Sequence, residues 1–108
     1  MNTAETLTAA RSLIAEPEHW TKGRSARDKN HAAVPVNSPD AVSFCAIGAL
    51  VRVTGPGNFW TAERCLTTAL GGTDVPRFND DDLTSHSDVI ALYDRAILVA
   101  SNTEQDTP

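Results

Sequence analysis

The chain has 108 residues, 41% of them hydrophobic, which suits one domain with its own core and is too short for two domains of ordinary size. Its longest apolar stretch is interrupted by Gly48 and Arg52 and falls short of the roughly 20 residues a spanning helix needs, so no membrane association is expected. A net charge of −5 argues against broad binding of a phosphate backbone, which makes nucleic acid an unexpected partner.

Asn2 with Glu5 three residues later reads as a helix start, and Leu7, Ala10, Leu13 and Ile14 recur at helical spacing, predicting a helix over 3–15 that stops before Pro17. From Glu16 to Val36 the periodicity fades around Trp20 and Gly23, and the segment reads as a structured loop whose residues 32–36 suit at most a short edge strand. Ser38 as N-cap and Pro39 at the first helical position predict a second helix over 39–53, ended by Gly55-Pro56-Gly57. Its apolar residues cover nearly every face, which places it at the centre of the domain. Gly48 in a helix interior costs about 1 kcal/mol relative to Ala, and close packing of a neighbour would offset that.

A third stripe, Phe59, Ala62, Leu66, Ala69 and Leu70, predicts a helix over 59–70 with Asn58 as cap and Gly71-Gly72 as exit. Residues 73–83 read as a loop with Val75 and Phe78 tucked inward. Ser85 with Asp88 resembles a capping box, and Val89, Tyr93, Ala96 and Ala100 supply the last helical stripe. The expected fold is all-α: a compact single domain over 1–100 with about four helices and a long irregular connection between the first and second, followed by a disordered polar tail over 101–108.

The two cysteines, Cys45 and Cys65, stand apart, without zinc or thioredoxin-like spacing, and the first residues lack the basic start and apolar centre of a secretory signal. Reduced thiols and a cytoplasmic location are expected. With Ser38 as cap, Cys45 lies about two turns into its helix and gains little from the dipole; with Ser43 as cap it would sit in the first turn. The first placement is favoured and makes Cys45 a core residue. The rival reading pairs Cys45 as nucleophile with His86 as base and Asn79 or Asp80 as the orienting group.

Asp80-Asp81-Asp82, with His86 and Asp88 beyond, lacks the turn glycine and the final glutamate of a calcium loop, and reads as a solvated acidic segment. His19 and His31 have no partner at ligand spacing, so neither a metal nor another cofactor is expected. Trp20 followed by Lys22, Arg24, Arg27 and Lys29 is the mixture a phosphate-binding or base-stacking surface would use. It equally suits a loop held by Arg27 and Asp28 with Trp20 covering the core.

Trp20, Gly23, Ala26-Arg27-Asp28, the run 41–50 around Cys45, Phe78-Asn79-Asp80 and the run 89–96 together resemble a family of small bacterial and phage proteins catalogued as a domain of unknown function. The resemblance spans about residues 5–100 and implies a stand-alone helical domain, often of phage or mobile-element origin, with no established activity. It draws attention to Trp20, Arg27, Asp28, Cys45, Asn79 and Asp80.

Residues 1–31 hold five basic and four acidic side chains, residues 32–108 four and ten, so the acidic charge gathers in the body of the chain. The leading expectation is therefore a non-enzymatic protein-interaction module whose acidic surface, with Asp80, Asp81 and Asp82, meets a basic protein partner. In a phage setting it would inhibit a host defence or nucleic-acid-handling complex. The rivals are a cysteine-dependent hydrolase or transferase using Cys45, and a phosphate or nucleotide site made by Arg24, Arg27 and Lys29.

Overall fold

The computed structural model describes residues 2–55 and 57–105. It is mainly helical, as the patterning predicts, with α1 (Thr3–Leu13), α2 (Ala46–Thr54), α3 (Trp60–Ala69), α4 (Val75–Asp80) and α5 (His86–Gln105). A 3-10 turn, Pro17–His19, follows α1, and a minimal antiparallel pair joins β1 (Ala26–Arg27) to β2 (Ser43–Phe44) in the register Ala26 to Phe44 and Arg27 to Ser43.

The start of α1 is fixed by a reciprocal capping box: the Asn2 side chain accepts from the Glu5 N–H at 2.8 Å, and the Glu5 carboxylate accepts from the Asn2 N–H at 2.9 Å. Leu7, Ala10 and Ile14 then fall on one buried face. This face meets α5, whose Val89, Leu92, Tyr93, Ala96 and Ala100 are buried at the expected spacing, and α3 closes the layer with Ala62 and Leu66. The exit of α3 is a Schellman arrangement: Gly71 and Gly72 sit at φ +80° and +91°, donating to the carbonyls of Thr68 and Thr67. Its start is the N-cap Phe59, without the side-chain cap expected from Asn58.

The second helix departs from expectation at its start. α2 begins at Ala46, not 39, and its N-cap is Cys45 rather than Ser38 or Ser43. Ser38 instead closes a turn, accepting the Asp40 N–H on its hydroxyl and the Ala41 N–H on its carbonyl. Residues 43–45 are extended, and the segment 42–45 finds its backbone partners in the loop: Val42 N–H donates to Arg27 O at 2.9 Å and Cys45 N–H to Ser25 O at 3.1 Å. Pairing with a distant segment thus overrides the local helix start. The far end behaves as predicted, with Gly55 at φ +83°, while Arg52 turns back to the carbonyls of Val36 and Ser38.

Two further differences are local. The expected loop 73–83 contains α4, capped by the Asp74 side chain with Pro76 in the first turn, while Val75 is buried and Phe78 half-buried as anticipated. The last helix runs to Gln105, into the segment expected as a tail, and residues 106–108 lie outside the described ones.

Candidate functional site

The polar residues singled out in the sequence converge on the junction between the loop 20–25, the start of α2 and the end of α4. Asn79, fully buried, is the hub. Its side-chain oxygen accepts from the Trp20 indole N–H at 2.7 Å and from the Ala46 backbone N–H at 3.0 Å. Its amide nitrogen donates to Thr21 O at 3.1 Å and to Asp80 Oδ1 at 3.0 Å. All four bonds join elements distant in sequence except the last, so one amide clamps the loop, α2 and α4 together. Asp80 extends the clamp by accepting the Gly23 N–H at 2.8 Å, with Gly23 in the left-handed region at φ +82° that favours glycine.

The loop is held internally by Arg27. Its guanidinium does not pair with Asp28; it donates to Thr21 Oγ1 at 2.8 Å, Lys22 O at 2.9 Å and His31 O at 3.2 Å. Asp28 instead organises the next turn, accepting the N–H groups of Asn30 and Ala32 while His31 adopts φ +68°. Both residues are engaged in building the loop. Arg24 and Lys29 are exposed, Arg24 beside the α2 start and Lys29 beside Asn30, Pro39 and Asp40.

Cys45 is half-buried, and its Sγ accepts the Gly48 N–H at 3.2 Å as the cap of α2. Gly48 is indispensable here: a Cβ on it would lie 2.1 Å from Ser25 O, the carbonyl that Cys45 N–H also uses. That is the close packing the helix glycine foretold. Burial pushes the Cys45 thiol above its ordinary pKa; bonds from the Gly48 and Ile47 backbone oppose this, and the Asp80 charge adds to it. The dipole position that lowers a reactive cysteine is therefore outweighed by desolvation, and the thiol is neutral at pH 7. Tyr93, behind the same helix start, is wholly buried, donates to Ala46 O at 2.6 Å, and is held well above its ordinary pKa by that burial.

Cys45 lines a cavity of about 330 Å³ together with Gly23, Arg24, Ser25, Ile47, Pro76, Asn79 and Asp80. His86, the base of the rival triad, is not in its lining. The His86 ring packs 6.0 Å from Trp20, and its Nε2 lies 2.7 Å from Ile14 O, which can only accept, so that nitrogen carries a proton. Of the four candidates for that triad, the fold brings Cys45, Asn79 and Asp80 together and leaves out the base, His86. The Asn79 amide and one Asp80 oxygen are already committed to the clamp. Of the cavity residues, Arg24, Cys45, Asn79 and Asp80 stand out in the sequence by residue type and Gly23 as a glycine within a loop, whereas Ser25, Ile47 and Pro76 carry no signal of their own.

Asp81 and Asp82 are exposed at the tip that follows α4. Asp81 Oδ1 accepts the Leu83 N–H at 2.8 Å, and its carbonyl accepts from Lys22 Nζ. Leu83 itself is 91% exposed. Among the described residues, no group of three or more His, Cys, Asp or Glu side chains is arranged to hold a metal, and no helix is long and apolar enough to cross a membrane.

Fold and site together define a small helical domain with a hydrogen-bonded loop clamped across a helix start. The chain belongs to the family of unknown function DUF6197, whose model matches residues 1–98. No curated protein and no solved structure matches it.

Proposed function

We infer that the protein is a non-enzymatic interaction module that docks through the acidic tip Asp81-Asp82-Leu83 onto a basic protein surface. The observation that carries this reading is Leu83, 91% exposed between Asp82 and Thr84 on a backbone that Asp81 pins from within the tip. An exposed apolar side chain beside two exposed carboxylates supplies an anchor and a steering charge at once. In a phage or mobile-element setting, such a tip suits an inhibitor competing for a basic surface on a host defence or nucleic-acid-handling complex.

The rivals have less to support them. Hydrolysis or transfer at Cys45 needs a base to take the thiol proton, and His86 turns to Ile14 O instead. A phosphate held by Arg24 would share the cavity with Asp80, and like charges about 4 Å apart repel by about 4 kcal/mol at a surface-like dielectric. Arg27, the third cation of that reading after Arg24 and Lys29, is spent on backbone carbonyls and Thr21.

The test places a photo-crosslinking amino acid at position 83 and compares capture in host-cell extract by the parent and by D81K/D82K. Both should show nearly the same denaturation midpoint, because both carboxylates are exposed and the Leu83 N–H released by loss of Asp81 can turn to water. A captured protein whose association slows by about tenfold or more in the double variant, and weakens with salt, supports the docking tip. Equal association rates with equal salt dependence refute it.

A further inference from the structure

The cavity beside Cys45 holds one cation and one anion that do not neutralise each other. Arg24 is exposed at its rim and joins no ion pair, since the one among the described residues links Arg11 to Asp94. Asp80 uses Oδ1 for Gly23 and Asn79, which leaves Oδ2 without a donor among the described residues. The rest of the lining is apolar or uncharged, with Ile47, Pro76 and the Cys45 thiol among it. A volume of about 330 Å³ lies at the small end of the ~300–1,000 Å³ range of ligand pockets. Such a space admits a small metabolite and is tight for a nucleotide.

We propose that this cavity binds a free α-amino acid with an aliphatic side chain, its carboxylate on the Arg24 guanidinium, its ammonium on Asp80 Oδ2, and its side chain against Ile47 and Pro76. The opposed charges select a zwitterion. A carboxylate alone meets Asp80 unfavourably, an amine alone meets Arg24, and only a ligand carrying both signs satisfies both. Cys45 serves as a wall and takes no part in chemistry. The site is separate from the docking tip and stands or falls independently of it.

The experiment follows the amide signals of Gly23, Ser25 and Ile47 by 1H–15N NMR while L-valine, L-leucine and L-methionine are titrated singly into the full chain. Isovalerate and isobutylamine, which are valine without its ammonium and without its carboxylate, serve as one-charge controls, with inorganic phosphate as a third. At least one amino acid should shift all three signals saturably, and Arg24→Ala and Asp80→Asn should each weaken it by about tenfold or more. Asp80→Asn keeps an oxygen for the Gly23 and Asn79 N–H groups, so the loop stays clamped. A second readout is the rate of Cys45 alkylation by iodoacetamide, mapped by mass spectrometry against Cys65; saturating ligand should slow Cys45 selectively. The proposal is overturned if none of the three amino acids shifts these signals, if isovalerate or isobutylamine binds as well as valine, or if phosphate binds and the amino acids do not.

Discussion

The two halves of this domain are held by different forces. The layer of α1, α3 and α5 is joined by apolar faces, with Leu7, Ile14, Leu66, Leu92 and Val89 buried at helical spacing. The half that carries the loop 20–45 and α4 has little such periodicity and is held by directed bonds radiating from Asn79 and Arg27. Apolar contact is non-directional and tolerates adjustment, whereas a buried hydrogen bond loses its whole value when one partner goes. The difference teaches where each half is vulnerable: the layer to loss of volume, the clamp to loss of a single atom.

The strongest way to break that comparison is a matched pair of truncations. Asn79→Ala leaves the Ala46 N–H and the Trp20 indole without their acceptor, and each orphaned group costs about 1–3 kcal/mol, giving a loss of about 2–6 kcal/mol. Leu66→Ala, in the layer, should cost about 2–5 kcal/mol through lost transfer energy and a cavity. Urea unfolding measures both. Hydrogen exchange separates them: Asn79→Ala should expose the amides of 21–25 to exchange before the core opens, and Leu66→Ala should raise exchange through the layer. If both variants speed exchange in the same amides, the two halves are one cooperative unit and the distinction is void.

Arg27→Ala sharpens the picture at a smaller scale. It removes three donations to the loop, two of them partly buried, and should lower stability by about 1–3 kcal/mol. Arg27→Lys should recover only part of this, because an ammonium cannot reach Thr21, Lys22 and His31 from one planar fork. A denaturation midpoint unmoved by Arg27→Ala would mean that the loop is held by Asn79 and Asp80 alone.

The same contrast explains what could be read in the sequence. The layer was legible because apolar residues spaced three and four apart announce a buried helix face, and its ends carried capping signals in Asn2, Glu5, Ser85, Asp88 and the glycines at 71–72. The clamp was legible only as a set of residue types. Trp20, Arg27, Asn79 and Asp80 stood out, but their bonds span up to 59 positions, and no local period encodes such a pairing. The start of α2 shows the consequence. Ser38-Pro39 carries a sound helix signal, yet the partners waiting at Ser25 and Arg27 draw residues 43–45 into extended backbone and move the cap to Cys45. α4 escaped notice because its six residues are too few for a periodic pattern.

The smallest expected effect lies at the layer's own polar seam, the start of α5. There the Ser85 N–H donates to Asp88 Oδ2 at 2.9 Å, while the Asp88 N–H donates to Ser85 Oγ at 3.2 Å. Bonds from the Ser85 backbone and side chain hold the Asp88 carboxyl below its ordinary pKa. Because the folded pKa lies below the unfolded one, the ionised group contributes stability that is fully present above the unfolded value and lost as pH falls through the folded value. Between about pH 5 and about pH 2, the melting temperature of Asp88→Asn should therefore fall less steeply than that of the parent, with the two curves converging at the acid end. At neutral pH the variant should melt slightly lower, since the carboxylate also faces the positive end of α5. Thermal melts at matched ionic strength read both features. Parallel curves across the whole range would show that the cap is equally strong with a neutral side chain and that Asp88 adds nothing to the acid sensitivity of the domain.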